Sequence, residues 1–358
     1  MKSFPHRFLV WTGSAISLFC LYLVFRSVPL EAFVGEWKQV RWPMVLPVVG
    51  VFYLGVYFRG SRWWWLLPVP GVKLTRRGLW QGVFVGYAFN NILPSGRVGE
   101  LARALFVAKA FKLPVSRVLG TVVNDRVFDS LILLFLVGST SLWIFPLQGD
   151  GEVSLGGFHL SAATLNPLFV NVALGSLGII LMVLLLLIPR VAEFLNGLVG
   201  RLPFLPGRFR DRCQRFVGGM LEGLRAVCQL RRLGWVSYFT FLIWGLNAAA
   251  AYALAWAIPG LEMTWFQAIG LMALVSVCAA IPAAPGYWGL YEAGMIISFQ
   301  VLEIHEDQSI ALVYAVTMHL IYYLPTTILG LIWAFRSAIS PGASLAVPDL
   351  EKERDEEQ

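Results

Sequence analysis

Lysine and arginine are absent between Arg126 and Arg190, and again between Arg232 and Arg336. Charged residues of either sign make up only 14% of the 358 residues, while 58% are hydrophobic; soluble domains carry about 25% charge. So little polar surface cannot coat a soluble globule, which excludes a water-soluble fold for most of the chain. Cysteine is equally scarce. Cys20 and Cys278 lie in apolar runs, Cys213 and Cys228 in a basic segment, and no CxxC or Cys/His spacing suits zinc. No disulfide framework, metal site or cofactor is expected from this inventory. The GxxxxGK[ST] phosphate loop is missing too, so nothing points to nucleotide-driven work.

What the chain has in quantity is apolar runs of near-spanning length. The first, Phe8 to Phe25, follows Lys2, His6 and Arg7. It lacks a small-residue cleavage site, so a retained helix is expected rather than a signal peptide. The second, Trp42 to Phe58, leads to Arg59, Arg62, Lys73, Arg76 and Arg77, which the positive-inside rule places in the cytoplasm. Trp63, Trp64 and Trp65 then read as an anchor at headgroup level. Further crossings are expected at Val118 to Phe145, Leu168 to Ile188, Trp235 to Ile258 and Ile310 to Phe335.

Two segments do not fit as crossings. Residues 79 to 93 stop at Asn90-Asn91-Ile92-Leu93-Pro94-Ser95-Gly96, and their length of about 22 Å falls short of a hydrocarbon core of about 30 Å. Trp265 to Ile281 and Leu290 to Val301 are likewise short, and Pro282 to Gly289 separates them. The first reads as a hairpin entering from the basic, cytoplasmic side, flanked by Lys109, Lys112 and Arg117. The second reads as one entering from outside, flanked by Glu262, Glu303, Glu306 and Asp307. The expected fold is an all-α polytopic membrane protein with about six full transmembrane helices and two re-entrant broken-helix hairpins of opposite entry. The two halves form a candidate inverted repeat.

Residues 1–337 are expected to form one transmembrane domain, with both termini cytoplasmic. Nine arginines fall within residues 190 to 232. The stretch from 190 to 234 reads as a cytoplasmic loop lying along anionic headgroups, and it resembles no nucleic-acid-binding module. Residues 338–358 read as a disordered acidic tail.

Charges inside apolar runs are the candidate functional residues, since each costs about 2.5 to 3.5 kcal/mol at a bilayer centre unless paired or wet. Glu100 and Arg103 share a helical face after the first turn. They make either a mutual salt bridge or a headgroup-facing pair. Asn124, Asp125, Arg126 and Asp129 follow in the next crossing. Asp125 reads as part of an interfacial cluster, whereas Arg126 and Asp129 are assigned inward roles. Glu292, just after Gly289, is the strongest candidate for a polar contact at depth. His319 reads as bonding a neighbouring helix in preference to Glu292.

The runs NNILPSGRVGELARALFVAK (90 to 109), NDRVFDSLILL (124 to 134) and IPAAPGYWGLYEAG (281 to 294) resemble the lysylphosphatidylglycerol synthase transmembrane, or flippase-like, family. The resemblance covers about residues 8 to 337 and implies a membrane domain that moves a lipid between leaflets. It carries site roles onto Asn91, Pro94, Gly99, Glu100 and Arg103, onto Arg126 and Asp129, and onto Pro285, Gly286, Gly289 and Glu292. His319 stands where the family often has arginine. Family members with a soluble aminoacyl transferase charge the lipid as well. No such domain is seen here, so no enzyme activity or catalytic residue is expected.

The leading expectation is an inner-membrane lipid translocase for an anionic phospholipid or polyprenyl-type lipid, in which Arg103 and Arg126 attract the phosphate. The alternatives are a membrane-embedded lipid-modifying enzyme using Glu100, Asp129 or His319, and a non-transporting partner of a glycosyltransferase or other lipid-modifying enzyme.

Overall fold

The computed structural model describes residues 4–67, 69, 71–93, 98–144, 152–161, 207–225, 228–278 and 283–339, with scattered positions between 170 and 197. Among the described residues the fold is all-α apart from one small β-hairpin. Helix α1 (Phe4–Ser27) ends where Pro29 cannot continue the hydrogen-bond ladder. The short α2 (Leu30–Gln39) leaves at 81°. None of its residues is buried, and Leu30 and Val34 are exposed, as suits a helix lying in a membrane interface. The sequence reading had no element there.

Among the described residues three helices are long and apolar enough to span: α3 (Trp42–Leu66), a later α8 (Leu230–Ala255) and the final α11 (Gln308–Ile339), over its Gln308–Ser337 portion. The bent α1–α2 pair would make a fourth. Helix α3 runs on through Leu66, two turns past the expected end at Phe58, and this changes the meaning of Arg59 and Arg62. Helix α6 (Val115–Ile144) is about 45 Å long. The expected crossing at Leu168 to Ile188 lies largely outside the described residues, as do Pro94 to Arg97 and the acidic tail.

The arginine-rich stretch does more than coat a surface. Its α7 (Gly207–Arg225) packs along α6 through glycines on both sides. A methyl group at Gly120 would overlap the Met220 carbonyl oxygen, and one at Gly223 the Arg117 carbonyl oxygen. Asn124 Nδ2 donates to the carbonyls of Gly223 and Leu224 (3.1 and 2.9 Å). Its place is therefore structural, holding the last turn of α7.

Both short hairpins are present. Helices α4 (Arg76–Ile92) and α5 (Val98–Phe111) measure about 25 and 21 Å, α9 (Trp265–Cys278) and α10 (Leu290–Val301) about 21 and 18 Å. Small residues bring the arms together: at Gly99 a methyl group would overlap the Gly86 carbonyl oxygen, and at Gly294 it would press on Cys278 Sγ (3.0 Å).

Helix α11 gives both hairpins a common scale. At one end Lys109 Nζ, near the open end of the first hairpin, donates to Ser337 O (2.9 Å). At the other end Gln308 and Gln300, near the open end of the second, both donate to Ser154 O (3.0 and 2.9 Å). The hairpins therefore enter from opposite ends of α11. Their tips are fastened to its middle: the second at His319, about 16 Å from the nearer end, and the first at Thr326 and Thr327, about 19 Å from the other end, with about 11 Å of helix between the two. Helix α4 also packs on the 3₁₀ turn Pro285–Tyr287 that forms the second tip.

Ser154 belongs to a β-hairpin, β1 (Glu152–Leu155) with β2 (Phe158–Ser161), in the segment between the crossings expected at Val118 to Phe145 and Leu168 to Ile188. Gly156 and Gly157, both at positive φ, make the two-residue reversal that only glycine-like residues adopt readily. The hairpin packs against α10 and α1.

Pro325 leaves the Ile321 carbonyl without its helical partner. Tyr53 of α3 supplies a hydroxyl donor to that oxygen at 3.1 Å, as a membrane interior requires.

Candidate functional site

Seven charged side chains from three helices form one buried ionic network. Asp125 and Asp129, four apart on α6, point to the same side. Arg62 of α3, with none of its side chain exposed, spans both: Nε donates to Asp125 Oδ1 (2.9 Å) and Nη1 to Asp129 Oδ1 (2.8 Å) and Thr240 Oγ1 (3.1 Å). Arg59, one turn earlier, donates to Asp129 Oδ2 (3.2 Å). From the first hairpin, Arg103 Nη2 reaches Asp125 Oδ2 (3.0 Å) and Glu100 Oε2 (2.7 Å). Arg126 lies 3.3 to 3.4 Å from Glu100, Asp125 and Asp129. Asp125 is about 15 Å along α6 from its start, and Glu100 about 16 Å from the end of α5, so the network sits deep in the bundle.

Four arginines face three carboxylates, leaving one positive charge in excess. The accessible member is Arg126, whose side chain is 42% exposed, against 16% for Arg59, 6% for Arg103 and 0% for Arg62. Arg103 is turned inward and stacks over the Trp63 ring at 5.0 Å. It is therefore not free to meet a phosphate beside Arg126, as the sequence reading supposed.

Three further assignments change. Trp63 is fully buried, with Nε1 donating to Thr121 Oγ1 (3.0 Å). It is a core residue and not an anchor at headgroup level. Asp125, read from the sequence as interfacial, contacts Arg62, Arg103 and Arg126 and shares the centre of the network with Asp129. Arg59 and Arg62 were missed because basic residues after an apolar run look like cytoplasmic flanks. Their i,i+3 spacing, matching that of Arg126 and Asp129, was the available signal.

The remaining predicted residues fall into two groups. Gly99 N donates to Asn90 Oδ1 (2.8 Å) and serves the close α4–α5 approach. Asn91 Nδ2 donates to Thr326 and Thr327 Oγ1 (3.3 and 2.8 Å), pinning the first hairpin to α11. Pro94 lies outside the described residues. In the second hairpin, Pro285 opens the 3₁₀ turn, and Gly286 and Gly289 adopt φ of 71° and 85°, which side chains resist. A side chain at Gly289 would also strike the Ser17 carbonyl oxygen of α1.

Glu292 and His319 are brought together, contrary to the preferred sequence reading. His319 Nδ1 lies 2.6 Å from Glu292 Oε1, and Nε2 2.8 Å from Gly286 O. Glu292 Oε2 accepts from Gly289 N (2.7 Å). Trp288, Tyr291 and Tyr323 surround the imidazole at 4.3, 4.5 and 5.8 Å between ring centres.

The chain is similar in sequence to known membrane proteins. A UPF0104 membrane protein of Pyrococcus horikoshii is 23% identical over 306 residues, 80% of this chain and 84% of its own length. One from Methanothermobacter thermautotrophicus is 23% identical over 257 residues, 70% of this chain and 73% of its own. A third, from Methanocaldococcus jannaschii, is 34% identical over a 76-residue segment, 21% of this chain and 23% of its own. The family described as "Lysylphosphatidylglycerol synthase TM region" matches residues 10–330. With that match over most of its length, the chain belongs to the lysylphosphatidylglycerol synthase transmembrane-region family, as a multi-pass membrane protein.

Proposed function

We propose that this protein is a lipid translocase of the inner membrane, with both termini cytoplasmic, that passes an anionic lipid headgroup across the bilayer while the acyl or prenyl chains stay in lipid. The observation that carries this reading is the odd charge of the network: among its seven members one cation has no carboxylate of its own, and the most exposed member is Arg126. A phosphate at Arg126 would neutralise the excess, and the planar guanidinium suits an oxyanion. The two hairpins, entering from opposite ends and fastened near the middle of α11, support a site reached from either leaflet. Family membership supports a lipid-related role.

The test is a leaflet-resolved assay in proteoliposomes with a fluorescent phosphatidylglycerol and a fluorescent phosphatidylcholine. The expected result is faster movement of the anionic lipid than in protein-free vesicles. Arg126→Gln should slow it at least about tenfold, or about 1.4 kcal/mol, with folding intact. Equal rates in wild-type and protein-free vesicles would overturn the proposal, as would an unaffected Arg126→Gln.

A further inference from the structure

The contact between Glu292 and His319 contains a fixed number of protons. Gly286 O can only accept, so His319 Nε2 carries a hydrogen. Between Nδ1 and Glu292 Oε1, 2.6 Å apart, one further proton must lie, because two lone pairs would repel at that separation. Whether it rests on the carboxyl group or on the imidazole, the pair is neutral and holds one proton. If that proton passes to water, a carboxylate faces a bare imidazole nitrogen with a net charge of −1, and the contact cannot persist.

The surroundings leave this proton without a substitute. Both side chains are nearly fully buried. Among the described residues no lysine or arginine pairs with Glu292. The titratable groups near the pair are phenols and thiols: Tyr291 beside it on α10, Tyr323 on α11, and Tyr314, which is within electrostatic range of Tyr291. Cys278 of α9 and Cys20 of α1 lie in range of each other. Towards the arginine network, Tyr322 is in electrostatic range of Tyr87, Tyr287, Tyr291 and Arg59.

The pair also bears mechanically on the fold. Through Gly286 O and Gly289 N it ties the tip of the second hairpin to α11. We propose that Glu292 and His319 form a one-proton binding site, that the proton is the second ligand of the transport cycle, and that its release frees the Pro285–Gly289 turn from α11. In each cycle one proton is taken from water on one side and returned to water on the other. No bond other than the N–H or O–H bond is made or broken. The coupling to lipid movement rests on the translocase reading, whereas the one-proton site does not.

Two measurements separate these. In the full chain with His6, His159 and His305 replaced by Gln, ¹⁵N NMR of His319 over the conditions in which the protein stays folded should show Nε2 protonated throughout and Nδ1 passing through a transition involving one proton. A bare Nε2, or no transition at Nδ1 under any condition in which the protein stays folded, overturns the site. In proteoliposomes, the rate of anionic lipid movement should differ at least tenfold between inward and outward proton gradients. That ratio should fall to about one in Glu292→Gln, whose amide fills the contact without an ionisable carboxyl group. If Glu292→Gln fails to fold, His319→Arg carries the test with a fixed cation. A gradient response that survives the substitution overturns the coupling. Absence of lipid movement in wild type overturns the coupling together with the translocase reading, while the NMR result still decides the site.

Discussion

Replacing Arg62 by methionine tests the ionic network most directly. Arg62 is the fully buried arginine of the four and binds both α6 carboxylates and Thr240. Breaking a buried ion pair by removing one partner costs about 3 to 5 kcal/mol. Here the cost should fall near the lower end, because Asp125 keeps Arg103 and Arg126 while Asp129 keeps Arg59 and Arg126. At about 2 °C per kcal/mol, the low end for larger chains, a loss of about 3 kcal/mol lowers the melting temperature by about 6 °C. Arg126→Gln removes contacts of 3.3 to 3.4 Å made by a side chain that is 42% exposed. It should cost under about 1 kcal/mol, or about 2 °C. Arg62→Lys should not restore stability, because an ammonium cannot span two carboxylates as a planar fork does. Melting followed by tryptophan fluorescence in one detergent measures all three variants. An Arg62→Met protein melting within about 1 °C of wild type, or an Arg126→Gln protein falling as far as Arg62→Met, would refute this account of which arginine is structural.

Gly99→Ala should destabilise by about 1 to 3 kcal/mol, since its methyl group meets the Gly86 carbonyl oxygen. Gly245→Ala in α8, where nothing lies within 4 Å, should be neutral or stabilising by up to about 1 kcal/mol; the same melting assay compares them. Tyr53→Phe removes the donor to Ile321 O and should cost about 1 kcal/mol in the same melting assay. After replacement of Cys20, Cys213, Cys228 and Cys278, single cysteines at Lys109 and Gln267 should react with a membrane-impermeant maleimide from opposite sides in oriented vesicles. Labelling of both from the same side would contradict the opposed entry of the hairpins.

The second hairpin was the most legible part of the chain. Leu290 to Val301 was placed at the limits the structure shows, and the first arm, expected over Trp265 to Ile281, is described over Trp265–Cys278, with residues 279 to 282 outside the described residues. Pro282, Pro285 and the paired glycines force a break that any helical period would reveal. The end of α3 was not legible, because Arg59, Arg62 and three tryptophans are also what a membrane interface looks like. Only the return of α6, with carboxylates one turn apart, turns those arginines inward. The same limit hid the pairing of Glu292 with His319, whose 27-residue separation leaves no local signal. Helix α2 was missed because its ten residues are too few and too mixed to stand out as an apolar run.

Pro325 lies between the two places where the hairpins are fastened to α11, after His319 and just before Thr326 and Thr327. A helix with an unbroken ladder would transmit any rotation of one tip straight to the other. Here one rung is missing, and its carbonyl is held by a side chain from a different helix. Bending at that point breaks no bond within α11 itself, so the two halves of α11 can act as separate levers on a shared joint, with Tyr53 as the pin.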